Sequence, residues 1–192
     1  INRALERRRL YDILDMGKGG HYPEIENEEA FAGIVAGSSS MLKILKEAEL
    51  HAMSDVPILI TGQSGTGKEL LAKAVHRVSA RSKYPFTPVN MAALTSTLFD
   101  SEFFGHIKGA FTGADRDRAG FLESTSKGSL FLDEIGTMPM ELQGKLLRVL
   151  QDGEYIKIGT DRPGKVDIRF ISATNENLEN LVHQKKFRSD LY

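Results

Sequence analysis

Val56-Pro57-Ile58-Leu59-Ile60-Thr61-Gly62-Gln63-Ser64-Gly65-Thr66-Gly67-Lys68-Glu69 is the stretch from which the rest of the chain can be read. Val56 to Ile60 is a short apolar run of the kind buried as a strand. It leads into Gly62 to Lys68, which has the G-x-x-x-x-G-K spacing of a P-loop. Glycines let successive backbone N–H groups wrap around phosphate oxygens. The following helix, expected to run to about Ala80, adds its N-terminal dipole, and Lys68 is within reach of the β and γ phosphates. Strand, loop and helix in that order are the setting the motif requires.

Glu69 stands where the general motif carries the Ser or Thr that holds magnesium, so the metal needs ligands elsewhere. Ser129-Leu130-Phe131-Leu132-Asp133-Glu134 is a second apolar strand, and it ends in two carboxylates. Alone, such a pair is an ordinary solvated strand end. Beside a P-loop, Asp133 reads as the Mg2+ ligand, directly or through water, and Glu134 as the group that orients and deprotonates the attacking water. Ile171-Ser172-Ala173-Thr174-Asn175 brings a neutral hydroxyl and amide to another strand end, able to hold a γ-phosphate or a water without adding negative charge. Val89-Asn90 brings an amide beside the expected position of Glu134. Asn after a strand is often a turn residue; the shared position at adjacent strand ends gives these groups weight.

The surrounding pattern alternates. Ser39 or Ser40 caps a helix with Leu42, Leu45 and Ala48 on one face, Phe86 to Val89 and Leu130 to Leu132 read as strands, Pro139 starts a helix to about Leu150, and Asp167 to Ser172 is a further strand. The fold class is therefore α/β, a parallel sheet flanked by helices. Residues 1 to about 16, with Leu5, Leu10, Ile13 and Leu14 among Arg7, Arg8 and Arg9, read as a short amphipathic helix. That helix is either a connector from an upstream regulatory domain or a contact with membrane or nucleic acid. Gly17, Gly19, Gly20, Pro23 and the acidic run Glu24 to Glu29 mark a flexible linker, so residues 1–33 precede the domain and 34–192 form its core.

With 192 residues, 41% of them hydrophobic, the chain has room for one domain and a real core. Lys plus Arg number 25 against 26 Asp plus Glu, a net charge of -1, so no global basic field points to nucleic acid or a membrane. With 0 Cys there is no disulfide framework, Cys-based zinc site or thiol nucleophile, which fits a cytoplasmic protein. No apolar run approaches the ~18 residues of a membrane helix. The chain opens Ile1-Asn2-Arg3 and stops at Leu191-Tyr192, as expected of a piece cut from a longer protein.

Two segments interrupt the alternation. Phe104 to Ala114 is Gly-rich with Phe111 near its middle; either Phe111 tucks into the core and the glycines make a turn, or a mobile loop presents Phe111 to a partner. His106, beside those glycines, reads as a structural hydrogen-bonding residue. Tyr155 to Val166, with Gly159, Pro163 and Gly164 between short β-like runs, reads as a hairpin.

These residues together resemble the AAA+ ATPase domain of the bacterial enhancer-binding proteins, which activate RNA polymerase holding sigma-54. Gly109-Ala110-Phe111-Thr112-Gly113-Ala114 matches that family's signature hexapeptide, GAFTGA, and the P-loop, S-E-F-F-G-H at 101 to 106, S-L-F-L-D-E-I at 129 to 135, L-L-R-V-L-Q at 146 to 151, S-A-T-N at 172 to 175 and F-R-S-D-L-Y at 187 to 192 stand around it. The resemblance runs from about Ile34 to Tyr192. It implies a P-loop NTPase of the AAA+ type that hydrolyses ATP with Mg2+, a use of Glu69 usual in the family, Asn90 coupling Glu134 to the γ-phosphate state, and Thr174 and Asn175 as a first sensor. It further implies adenine contact along Ile34, Val35 and on to Gly37. Arg188 matches an arginine finger reaching a neighbouring subunit, hence a homo-oligomeric ring, by analogy a hexamer. Lys157 stands where the family more often has Arg, and Lys cannot make a bidentate phosphate fork. The 109–114 loop would contact the sigma-54 RNA polymerase holoenzyme and remodel the closed complex into the open one. The chain stops before the family's next finger Arg, its helical lid and its C-terminal domain for enhancer DNA. A nucleotide-regulated interaction module without turnover, or a small-molecule kinase, are the competing readings; the first would lack Glu134 or Arg188, and the second would need an acceptor pocket and a basic lid, for which the sequence has no cue.

Overall fold

Short apolar runs and amphipathic stretches follow one another as strands and helices in the computed structural model, which describes residues 24 to 94 and 96 to 192. The expected basic helix over residues 1 to 16 and the linker glycines lie outside the described residues. In chain order the elements are α1 (Glu28–Phe31), α2 (Ser39–Ala52), β1 (Ile58–Thr61), α3 (Lys68–Val78), β2 (Phe86–Asn90), α4 (Ser96–Phe104), β3 (Gly105–His106), β4 (Arg118–Ala119), α5 (Phe121–Ser124), β5 (Ser129–Asp133), α6 (Met140–Asp152), β6 (Glu154–Ile156), β7 (Pro163–Lys165), β8 (Arg169–Thr174) and α7 (Leu178–His183). Single 3-10 turns at Met91–Ala93 and Ile135–Thr137 follow β2 and β5.

The main sheet has the order β1-β8-β5-β2, and its strand pairs are parallel. β5 and β8 lie in the middle, which is why they read as near-continuous apolar runs. Successive side chains serve opposite faces. Leu130, Leu132 and Phe170 pack with Leu142, Leu146 and Val149 of α6 and with Phe99 and Phe103 of α4. Phe131, Ile171 and Ala173 pack with Ala52 of α2 and Ala72 and Val75 of α3. Each such fully buried Leu, Ile or Phe is worth roughly 1.5–3 kcal/mol.

Several boundaries differ from the sequence expectation, each for a local reason. β1 starts at Ile58, where its ladder to Ile171 begins; Pro57 has no N–H to donate and Val56 is exposed. β8 starts two residues later than expected because Asp167 is held off the ladder by Arg81, whose guanidinium bridges Asp167 (2.6 Å) and Asp55 (2.8 Å). The cap of α2 is Ser38, whose hydroxyl accepts the Met41 N–H at 3.2 Å. The largest correction concerns the acidic run 24–29, expected to be a flexible linker. Phe31 of α1 is buried with Leu45 and Ala74 against α2 and α3. The Glu49 carboxylate accepts the backbone N–H groups of Glu26 (3.2 Å) and Asn27 (2.6 Å) and pairs with Lys46 at 2.9 Å.

The two interruptions leave the main sheet together. β3 and β4 pair antiparallel at the base of the 107–117 excursion, and β6 with β7 forms the expected hairpin. Ile158 joins them: its N–H donates to Gly105 O (2.9 Å) and its carbonyl accepts from Ile107 N (3.1 Å). Gly159, at φ 87, lies so close under the loop that a Cβ there would meet the Ala110 Cβ at 2.6 Å.

Candidate functional site

β1, β5, β8 and β2 run parallel, so their C-terminal ends bring the P-loop, Asp133, Thr174 and Asn90 to one edge of the sheet. Gly62 N donates to Thr174 O at 3.1 Å, fastening the start of the loop to the end of β8. Thr66 Oγ1 donates to Gln63 O at 2.8 Å and closes the loop on itself. Gly67, at φ 85 and ψ 23, turns the chain into α3 through a backbone shape that a side chain would resist. As N-cap it offers no side-chain oxygen, so the first-turn N–H groups of this 11-residue helix are left for an anion. Lys68 Nζ donates to Gly62 O and Gln63 O, both at 3.0 Å, which holds the ammonium across the loop. Ser64 and Gly65 are exposed. Glu69 turns along the helix to Lys73 (2.6 Å), so its backbone rather than its carboxylate belongs to the loop.

Asp133 ends β5 in register with Asn90 of β2. Its Oδ1 accepts the N–H of Glu134 at 2.9 Å. Glu134 adopts φ 54 and ψ 46, a left-handed conformation that costs a non-glycine residue about 1–2 kcal/mol. Strain of this kind collects at functional sites. Asn90 Oδ1 accepts the Ala92 N–H at 2.9 Å, and its NH2 has no partner among the described residues. Thr174 departs from expectation: it is fully buried and its hydroxyl accepts the Glu176 N–H at 3.0 Å, so it braces the strand end rather than opening onto the crevice. Asn175, next in line, is exposed.

Oxygen donors are the right chemistry for magnesium, which binds protein through one or two carboxylates and takes the rest from phosphate and water. Among the described residues no group of three or more His, Asp or Glu could hold a metal alone. Asp133, at the same edge of the sheet as the P-loop, is an oxygen donor of the kind that would fit a magnesium arriving with a nucleotide.

The remaining candidates lie outside the P-loop and the four strand ends. Ile34 donates its N–H to Phe31 O at 2.9 Å and packs on the α1 cluster, whereas Val35 is 96% exposed. Arg188 is at the surface, its Nε and Nη2 on the two Asp190 oxygens at 2.8 and 2.6 Å; that carboxylate raises the guanidinium pKa further. Lys157 pairs with Glu123 at 2.6 Å, and that pairing raises its pKa. In the 109–114 loop, Gly109 N donates to Ala114 O (2.8 Å) and Ala114 N to Phe111 O (3.0 Å), so the loop is a closed turn. Phe111 is 44% exposed and rests edge-on against His106, 4.9 Å between centroids; it is not a core residue. Thr112 and Gly113 are exposed and Ala114 is buried. His106 hydrogen-bonds Ser101 Oγ through Nδ1 at 2.8 Å, the structural part expected of it.

Two groups escaped the sequence reading. Gln143 is fully buried beside the Leu142, Leu146 and Val149 stripe of α6, and Glu49 is 2% exposed in α2. The available signal in both was a polar residue on the apolar face of a helix.

The sigma-54 interaction domain family matches residues 34–192. The chain is 51% identical over 159 residues to the regulatory protein AtoC of Escherichia coli (strain K12), covering 83% of this chain and 34% of AtoC. It is 47% identical over 165 residues to the formate hydrogenlyase transcriptional activator FhlA of the same organism, covering 86% of this chain and 24% of FhlA. The crystal structure of NtrX from Brucella abortus in complex with ATP superposes with a TM-score of 0.76 at 39% identity, covering 82% of this chain and 34% of that one. The chain thus spans a quarter to a third of the length of these relatives. On the family match to residues 34–192 and the parallel sheet with its P-loop, this chain belongs to the sigma-54 interaction domain family of AAA+ P-loop NTPases.

Proposed function

We propose that this domain binds ATP with Mg2+ on the Gly62–Glu69 loop, hydrolyses it, and uses the cycle to move the 109–114 loop against sigma-54, so that the RNA polymerase holoenzyme passes from closed to open complex. One observation carries the reading: Lys68, Asp133, Glu134 and Asn90 stand at the ends of adjacent parallel strands or in the loop that follows one. ATP as the nucleotide is supported by the related NtrX, which was crystallised with it.

In this reading the free N–H groups of α3 and Lys68 bind the phosphates, the ammonium leaving the Gly62 and Gln63 carbonyls for phosphate oxygens. Asp133 holds the magnesium, which when bound neutralises charge on the phosphates. Glu134 takes the proton of the attacking water, Asn90 reports the γ-phosphate to Glu134, and Asn175 contacts the same phosphate, with Thr174 bracing it. Ile34 and Val35 meet the adenine. Arg188 leaves Asp190 and completes the site of the next subunit in a ring, by family analogy a hexamer. Phe111 and Thr112 are the contact with sigma-54. Enhancer DNA is bound by a further domain, and the protein works in the cytoplasm.

Phosphate release and ATP binding by Glu134→Gln in the full-length protein test the hydrolytic reading. ATP affinity stays near the parent while turnover falls ~10²- to 10⁴-fold, the usual cost of losing a positioned base. Parental turnover in Glu134→Gln would sink the assignment.

A further inference from the structure

Gln143 is fully buried, and every polar atom of its amide is used. Nε2 donates to Met138 O at 2.8 Å and to Lys186 O at 3.0 Å, and Oε1 accepts the N–H of Arg188 at 2.8 Å. Only one orientation of the amide satisfies these partners, since two are carbonyls and one is an N–H. A buried amide without partners is costly, so Gln143 and its three partners lock each other. The partners come from different parts of the machinery. Met138 closes the turn that begins at Glu134, whose own carbonyl accepts Thr137 N. Lys186 and Arg188 flank Phe187, which is 3% exposed in the same core as Leu142 and Leu146.

The next residue of α6 lies beside the Arg188 side chain. At Gly144 a Cβ would meet Arg188 Nη1 at 3.7 Å, so the guanidinium lies over the one helix position without a side chain. Glycine inside a helix costs about 1 kcal/mol relative to alanine. Position 143 therefore engages the backbone of Arg188 at the cost of burying an amide, and position 144 lies beside its guanidinium.

We propose that Gln143 is a positioning residue for Arg188: one amide sets the Arg188 turn relative to the segment that leaves Glu134, and so aims the finger at the neighbouring subunit's nucleotide. This rests on the reading above that Arg188 acts on that nucleotide. A residue that only filled the core would need the volume of the side chain and not its amide. An aiming device needs the amide, because only an amide holds the 186–188 backbone from both sides.

The test is a double-mutant cycle on kcat in the full-length protein, with Gln143→Leu, Arg188→Ala and the two combined, together with melting temperature and ATP affinity for each. Gln143→Leu is expected to lower kcat by about 100-fold, the usual result of a misplacement of about 1 Å in a catalytic arrangement, with ATP affinity within about twofold of the parent. In the Arg188→Ala background the same change adds less than about twofold, because its effect passes through Arg188. An equal loss in both backgrounds, or no loss in the parent, overturns the proposal. If Gln143→Leu melts too early to assay, the cycle is run with Gln143→Met, which keeps the length and volume of the side chain without the amide, and the same outcomes decide; failure of both variants to fold assigns Gln143 to the core alone and also overturns it. Parental turnover in Arg188→Ala by itself would remove the underlying reading, and the cycle shows this before Gln143 enters.

Discussion

Glu134 is where side-chain chemistry and backbone conformation meet at a single residue. Its carboxylate follows an apolar strand, and its φ of 54 turns the chain sharply into the 135–137 turn. Replacing it with glycine removes both the carboxylate and the strain. Glu134→Gly is expected to abolish hydrolysis yet raise stability by about 0.5–1 kcal/mol, the relief of the left-handed conformation less the added freedom of the unfolded chain. Urea denaturation beside phosphate release measures the two effects. A less stable Glu134→Gly protein would mean that contacts of the side chain, not function, hold this conformation. The Asp133-Glu134 pair was legible in the sequence because an apolar run ended on it. The left-handed turn was not, since no glycine or asparagine at 134 announces it; in the fold Gly136 lies close to Glu176, beyond the end of β8 and remote along the chain.

At the scale of elements, the docked 24–33 segment and the 109–114 loop respond to different conditions. Burial raises a carboxyl pKa, but at Glu49 the hydrogen bonds from Lys46, the Asn27 side chain and the Asn27 and Glu26 N–H groups outweigh it and hold the group below its ordinary range. A depressed folded-state pKa contributes stability above the unfolded value, near ~4.3, that is lost as pH falls through the folded one. Hydrogen-exchange protection of the Glu26 and Asn27 amides should therefore be steady at neutral pH and fall below about pH 4. Glu49→Gln at neutral pH should reproduce the loss, about tenfold to a hundredfold in protection for ~1–3 kcal/mol of a charge-assisted bond. Unchanged protection in Glu49→Gln would show that Phe31 alone docks the segment.

The loop calls for a different comparison. Phe→Ala in a core costs ~3–5 kcal/mol, but Phe111 is 44% exposed and touches His106 edge-on. Phe111→Ala should lower stability by less than about 1.5 kcal/mol, the scale of an aromatic pair, and keep ATP hydrolysis while losing capture of sigma-54 with a transition-state nucleotide analogue. Early melting with lost hydrolysis, or undiminished capture, would remove the loop from the partner interface. Composition alone left Phe111 open between core and surface, because an aromatic residue between glycines suits either.

For the whole molecule, the surface position of Arg188 matters most. Its guanidinium is held by Asp190 at the surface, where a neighbouring subunit could reach it. Arg188→Ala should fold and bind ATP but turn over slowly, as a missing arginine finger costs ~10³- to 10⁵-fold. Mixing Arg188→Ala with Lys68→Ala subunits should restore activity at interfaces that pair an intact loop with an intact Arg. Mixed rings that never exceed either variant alone would rule out action in trans.

Local rules acting over a few residues were enough to read the α/β class, the P-loop, and the order of the four sheet strands and the three long helices beside them; the helices at 28–31, 96–104, 121–124 and 178–183 were not read. A strand must alternate or bury its apolar run, and a phosphate loop must supply glycine and lysine at fixed spacing, so these features are written consecutively along the chain. The order β1-β8-β5-β2, the packing of α1 on α2 and α3, the buried turn of the Thr174 hydroxyl and the amide of Gln143 between Met138 and Arg188 depended on tertiary structure. Each joins groups far apart in sequence, where burial makes an unpartnered polar atom costly and the partner that relieves it is chosen by packing, not by proximity along the chain.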